Sequence, residues 1–291
     1  MTPDEIKRQV DEFRRKALAS FPLKLIETTG DKAFAIWQEL KAQGKGTPVV
    51  LGADDELHDF SNLLTPFGPR DSRFGELQAV EEILRLAADI KYPDDLAKLK
   101  EANLEKALAI LKNARAVQPH KPVPNMVQTK DGKTKSLTLD EVIAGFEREP
   151  RDPPLGVWPS ETDASSGLSI AYDIRTDTPL PKVYIGIAPT DDWTTIPAYL
   201  RWGGWNDCPA PEYHVAAMRA WRDRYGAELV GISADTINLR VTRRPETRSD
   251  ALSLAREQYN YCSDLIDQGV GTLSALAAER MANEWWYFWW D

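Results

Sequence analysis

AELVGISADTINLRV, residues 227 to 241, sets apolar-rich runs on either side of the short stretch Ser233 to Thr236. This pattern predicts a hairpin turning at about Ser233 to Thr236. Working back from it, Pro211 to Tyr225 reads as a helix that ends at Gly226, and Lys182 to Ile187 as a strand with Val183, Ile185 and Ile187 on one face. A strand at Gly167–Asp173 and a helix at Thr195–Trp202 precede these, and helices at Thr247–Asp267 and Thr272–Asn283 follow. The chain closes on NEWWYFWWD, residues 283 to 291. Extended, that tail puts Trp285, Tyr287 and Trp289 on one face and Trp286, Phe288 and Trp290 on the other, which predicts a final strand buried on both sides.

The N-terminal part repeats the theme on a smaller scale. A helix over 3 to 20 leads to a strand at Leu23–Thr28, a helix at Asp31–Ala42 and the strand KGTPVVLG at 45 to 52. Helices near 75 to 91 and 94 to 116 follow, the second rich in charge and leucine. From 117 to 159, proline, lysine and glycine interrupt the chain apart from a short helix at Leu139–Arg148. These signals divide the chain into an N-terminal α/β region with a helical extension (1–116), a linker or arm (117–159) and a C-terminal α/β domain (160–291). The fold class is α/β or α+β: a mixed sheet flanked by helices in the C-terminal part, and a smaller strand-helix-strand unit plus helices in the N-terminal part.

The 291 residues carry a net charge of −9, of which −7 falls in residues 151 to 291 (13 Lys and Arg against 20 Asp and Glu). Such a surface repels a nucleic-acid backbone and suits a basic protein partner. There are two cysteines and ten tryptophans. Two cysteines make no disulfide framework, the first residues are charged where a secretory signal is apolar, and no stretch is long enough to span a membrane. A cytoplasmic chain with no membrane partner is expected.

GGWNDCPAPEYH, residues 203 to 214, is the place where chemistry is conceivable. His214 begins an apolar stripe with Met218, Trp221 and Tyr225. Near a helix N-terminus an imidazole stays neutral and a preceding thiolate is stabilised, so Cys208 and His214 could form a nucleophile and its base. Asp207 would share their cleft, with Asp235 or Asp264 as the orienting carboxylate. A packed histidine and a buried cysteine are the plainer reading. Cys208, His214 and Cys262 lack the paired spacing of a structural metal site, and Cys262 shares a helical stripe with Ala255, Tyr259 and Ile266. ADDELHDF, residues 53 to 60, groups Asp54, Asp55, Glu56, His58 and Asp59, which fits a helix start better than a cation site. GKGTP lacks the GK[ST] of a phosphate loop and no GxGxxG or GxSxG occurs, so no metal or cofactor is expected.

WTTIPAYLRWGGWNDCPAPEYHVAAMRAWRDRYGAELVGISADT (193–236), AREQYNYCSDLIDQG (255–269) and WYFWWD (286–291) resemble the bacterial family called domain of unknown function 4253. The likeness covers about residues 155 to 291; GKGTPVVLG resembles the family's upstream segment, and the lysine-rich stretch from about 93 to 137 has no counterpart. The family has no assigned activity, so no residue role carries over. Its toxin and immunity neighbourhoods imply a binding protein with an immunity or regulatory role. Trp205, Asn206, Asp207, Trp286 and Trp290 are then the expected contacts with a basic partner. The rival expectation is a small-molecule hydrolase or transferase working through Cys208 and His214.

Overall fold

The computed structural model describes residues 21–54, 56–57, 79–117, 122–128, 134–148, 152–163 and 167–291, with positions 2, 5, 8, 12, 15, 18 and 19. Of the helix expected over 3 to 20, positions 5, 8, 12, 15, 18 and 19 are described and helical, while its other positions, and Asp55, His58 and Asp59 of the acidic stretch, lie outside the described residues.

In chain order the elements are β1 (Lys24–Thr28), α1 (Gly30–Gln43), β2 (Thr47–Gly52), α2 (Val80–Asp89), α3 (Asp94–Val117), β3 (Pro122–Gln128), β4 (Thr134–Thr138) and α4 (Leu139–Arg148). They continue with β5 (Tyr172–Asp173), β6 (Thr178–Pro179), β7 (Val183–Ala188), α5 (Ile196–Leu200), α6 (Pro211–Tyr225), β8 (Glu228–Ile232) and β9 (Thr236–Arg240). Last come α7 (Arg248–Tyr261), α8 (Leu273–Ala282) and β10 (Trp285–Trp289). The class is mixed α/β, as the patterning predicts.

The chain forms two compact units, residues 94–154 and the remainder. Within 94–154, α3 and α4 are tied by the ion pairs Lys112–Glu147 and Arg115–Asp140, and β3 pairs antiparallel with β4. That hairpin falls inside the stretch expected to be a linker; its prolines sit in a two-stranded ribbon, where a missing N–H has an open side to face.

The larger unit is built on one six-stranded sheet with order β1-β7-β2-β8-β9-β10. It joins strands from both sides of the 117–159 stretch: β7 lies between β1 and β2, antiparallel to both, and β2 pairs parallel to β8 through Val50 and Gly231. β8 and β9 form the hairpin expected at Ser233–Thr236. The buried run in β2 fits this central position, with strands on both sides.

Helices cover both faces. On one, Ala33 and Trp37 of α1 pack with Val50, Val183, Ile185 and Val230, and Trp285 meets Phe34 edge-on. On the other, Trp221 of α6 stacks on Phe288 and meets Trp286, while Ile83 and Ala87 of α2 pack on Ala198 and Val215. β10 is thus buried completely on one face only: Trp286 and Phe288 are inside, and Tyr287 on the opposite face is 40% exposed.

Two further expectations are corrected. Gly167–Asp173 is a 3-10 turn (Ser169–Ala171) leading to a two-residue strand, because buried Asn238 accepts from the Ile170 N–H and exchanges hydrogen bonds with Ser169, which fixes the turn on the sheet. Gly231 makes room for this: a Cβ there would collide with Ile170. The helix expected over 247–267 stops at Tyr261, since Cys262 is extended (φ −145°) and its thiol donates to the Trp289 carbonyl at 2.9 Å.

Candidate functional site

The GGWNDCPAPEYH segment folds as a tight loop against the start of α6. Gly203, Gly204 and Asn206 have φ of 112°, 87° and 45°. The Gly204 N–H donates to Pro209 O at 2.8 Å, and the Cys208 N–H to Trp205 O at 2.8 Å. Pro211 starts the helix, where a missing N–H costs nothing. His214 is then carried into the interior, fully buried, in edge contact with Trp202, Tyr261 and Trp290.

Cys208 Sγ stands 3.4 Å from His214 Nε2, so the pair read from the sequence is brought together. Its surroundings decide what it does. The Tyr261 hydroxyl is hydrogen-bonded to Nδ1 at 2.5 Å, and burial raises the Tyr261 pKa, so the phenol keeps its proton. Burial holds the imidazole neutral, lowering its pKa from 6.5 to about 3. Cys208 is itself buried, and the cleft described below is lined by neither residue.

The candidate carboxylates are elsewhere. Asp207 is exposed and accepts from the Ser263 hydroxyl at 3.4 Å; Asp264 accepts from the Asp291 N–H at 3.1 Å; Asp235 binds the Thr236 hydroxyl at 2.8 Å. The group that orients His214 is Tyr261, which sequence reasoning missed. Both cysteines are free. Among the described residues no group of three His, Cys, Asp or Glu side chains is placed to hold one metal ion.

The expected binding residues divide. Trp205 is half-buried against Trp202, and Asn206 and Asp207 are exposed, with Asn206 Nδ2 donating to the Asp291 carbonyl at 2.5 Å. Trp286 and Trp290 are 0% and 2% exposed and belong to the core, because the even positions of β10 face α6 and α7. On the opposite face of β10, Tyr287 is exposed and Trp285 and Trp289 are half-buried; Tyr287 and Trp289 are the two that meet a cleft.

Those two line a cleft of about 480 Å³. It opens where the parallel neighbours β2 and β8 end, with Ala53 and Glu56 after β2 and Ser233 and Asp235 after β8. The crevice outside the carboxyl ends of parallel strands is where open α/β sheets bind ligands. Thr236, Tyr287 and Trp289 continue the lining, and the Ser169–Leu180 excursion supplies Tyr172, Asp173, Ile174 and Arg175. The acidic side chains are held in place. Glu56 accepts from the Ala234 N–H at 3.1 Å, and Asp235 Oδ1 accepts from the hydroxyls of Ser233 and Thr236. Asp173 accepts the N–H groups of Arg175 and Thr176, which hold its pKa below the usual value. Burial pushes the Tyr287 phenol up to about 12, and the charges of Asp235 and Glu56 add to the shift. Among the described residues, three carboxylates thus share the cleft with one arginine and three aromatic rings.

Residues 184–291 match the family described as Domain of unknown function (DUF4253). The DUF4253 segment holds the whole Cys208–His214–Tyr261 cluster and, of the cleft, Ser233, Asp235, Thr236, Tyr287 and Trp289. Glu56 and the Ser169–Leu180 wall precede it, as does the GKGTPVVLG strand. No curated protein and no solved structure matches the chain. Among the described residues, no helix is long and apolar enough to cross a membrane.

Proposed function

We propose that this is a cytoplasmic binding protein that recognises a basic protein partner, in an immunity or regulatory role, through the cleft at the ends of β2 and β8. The observation that carries this reading is the lining of that cleft: Glu56, Asp173 and Asp235 stand among Tyr172, Tyr287 and Trp289, with Arg175 the one cation among the described lining residues. Carboxylates beside aromatic faces suit a guanidinium, which pairs with the first and stacks on the second. The net charge of −7 over residues 151–291 would draw such a partner in. The test is calorimetric titration of the full chain with acetyl-Gly-Arg-Gly-amide over a salt series, alongside Asp235→Asn. Binding that weakens as salt rises, and weakens again in the variant, supports the reading; binding indifferent to salt overturns it.

One observation favours a second reading, hydrolysis or group transfer by Cys208: its sulfur is within 3.4 Å of a histidine nitrogen. Iodoacetamide labelling of the native chain across pH separates the two. A Cys208 that reacts well below the pH of an ordinary thiol supports catalysis. A Cys208 that reacts only after unfolding supports the packed cluster.

A further inference from the structure

The wall of the cleft carries an apolar side chain out into water. Ile174, in the turn between β5 and β6, is 89% exposed, yet it lines the same cleft as Tyr287 and Trp289. Val157 is as exposed, but it lies in the extended segment 152–163, away from the cleft lining. The turn that holds Ile174 is fixed at both levels. At its tip, Asp173 Oδ1 accepts from the N–H groups of Arg175 (2.8 Å) and Thr176 (3.1 Å), and the hydroxyls of Thr176 and Thr178 are 2.7 Å apart. At its base, the Leu180 N–H donates to Ala171 O at 3.0 Å, and Asn238 anchors Ser169 and Ile170 to β9.

A side chain on a backbone turn already held in position costs less to order when a partner covers it, and an isoleucine gains by leaving water. We propose that Ile174 is the apolar anchor of the partner interface, so that the segment it recognises carries an apolar residue next to its cationic one. The proposal rests on the reading of the cleft as the site for a basic partner and adds the residue that decides which basic segments fit. Charge alone selects weakly, because every basic surface satisfies it; an apolar contact at fixed distance from the carboxylates discriminates among them.

The experiment compares acetyl-Gly-Arg-Gly-amide with acetyl-Leu-Arg-Leu-amide, titrated into the full chain and into Ile174→Ser, a change at an exposed position that leaves the core untouched. The leucine peptide is expected to bind the unaltered chain about five- to tenfold more tightly, an advantage that Ile174→Ser abolishes. Equal binding of the two peptides, or an advantage that survives the substitution, overturns the role of Ile174; salt-sensitive binding of the glycine peptide then leaves the reading of the cleft standing. Failure of both peptides to bind overturns both.

Discussion

The Tyr261 hydroxyl lies 2.5 Å from His214 Nδ1, and this contact fixes the loop that carries Cys208 to the body of the protein. Tyr261 ends α7, His214 opens α6, and Trp202 and Trp290 close around the pair. Tyr261→Phe leaves the buried Nδ1 without the hydroxyl it is hydrogen-bonded to, and should lower stability by about 1–3 kcal/mol in urea denaturation. An unchanged midpoint would mean that the hydrogen bond does not hold the loop.

Gly203 makes the same cluster possible from the other side. Its φ of 112° is one that other residues rarely adopt, and a Cβ there would lie 2.6 Å from His214 Nε2 and collide with the Pro209 carbonyl. Gly203→Ala should destabilise the chain by about 3 kcal/mol or more, since backbone strain and the clash add. Thermal unfolding of the purified variant checks this; a variant as stable as the parent refutes the close packing.

The buried imidazole makes stability depend on pH. The unfolded chain takes up a proton on His214 near pH 6.5, the folded chain only near 3, so the contribution is complete above 6.5 and is lost as pH falls through that window. The loss approaches about 1.4 kcal/mol per pH unit once the unfolded histidine is charged. Glu212 and Glu279, whose pKa values burial raises, act in the opposite sense. The measurement is therefore the difference between the parent and His214→Gln at pH 7 and pH 5. The parent should lose more stability than the variant over that interval; parallel losses would show that His214 is not the group titrating.

β10 is an edge strand, and two buried side chains occupy its backbone acceptors: Cys262 donates to Trp289 O at 2.9 Å, and Arg280 to Tyr287 O at 3.4 Å. Arg280 also donates to Gln258 at 2.5 Å and lies over the Phe288 ring. Side chains that occupy an edge discourage pairing with another chain. Arg280→Met fills similar space without donors, and should cost about 1–3 kcal/mol and promote self-association in sedimentation velocity. A stable, monodisperse variant would remove that role from Arg280.

In the cleft, Asp235→Asn keeps an acceptor for the Thr236 and Ser233 hydroxyls but removes the charge. Stability should change by less than about 1 kcal/mol while affinity for acetyl-Gly-Arg-Gly-amide falls about tenfold, with a shallower salt dependence. Calorimetry on the variant reads both; unaltered affinity would place the cation elsewhere.

Local signals determined much of the larger unit. Pro211 and Gly226 bound α6 because one residue lacks the N–H that a first turn does not use and the other adopts the left-handed conformation (φ 56°) of a helix end. The short stretch Ser233–Thr236 between two apolar-rich runs marked β8, β9 and their turn, and both strands are buried on both faces. Tertiary structure decided the rest. That β7 inserts between β1 and β2 depends on pairing between residues more than a hundred positions apart, which leaves no periodic trace. The tail shows its two aromatic faces in the sequence, but only its place at the sheet edge decides that Trp286 and Trp290 are core while Tyr287 and Trp289 meet the cleft. Six residues of spacing left open whether Cys208 and His214 meet; the folded loop sets them 3.4 Å apart, and Tyr261, 47 positions on, takes the other ring nitrogen through a contact between helices that leaves no local trace.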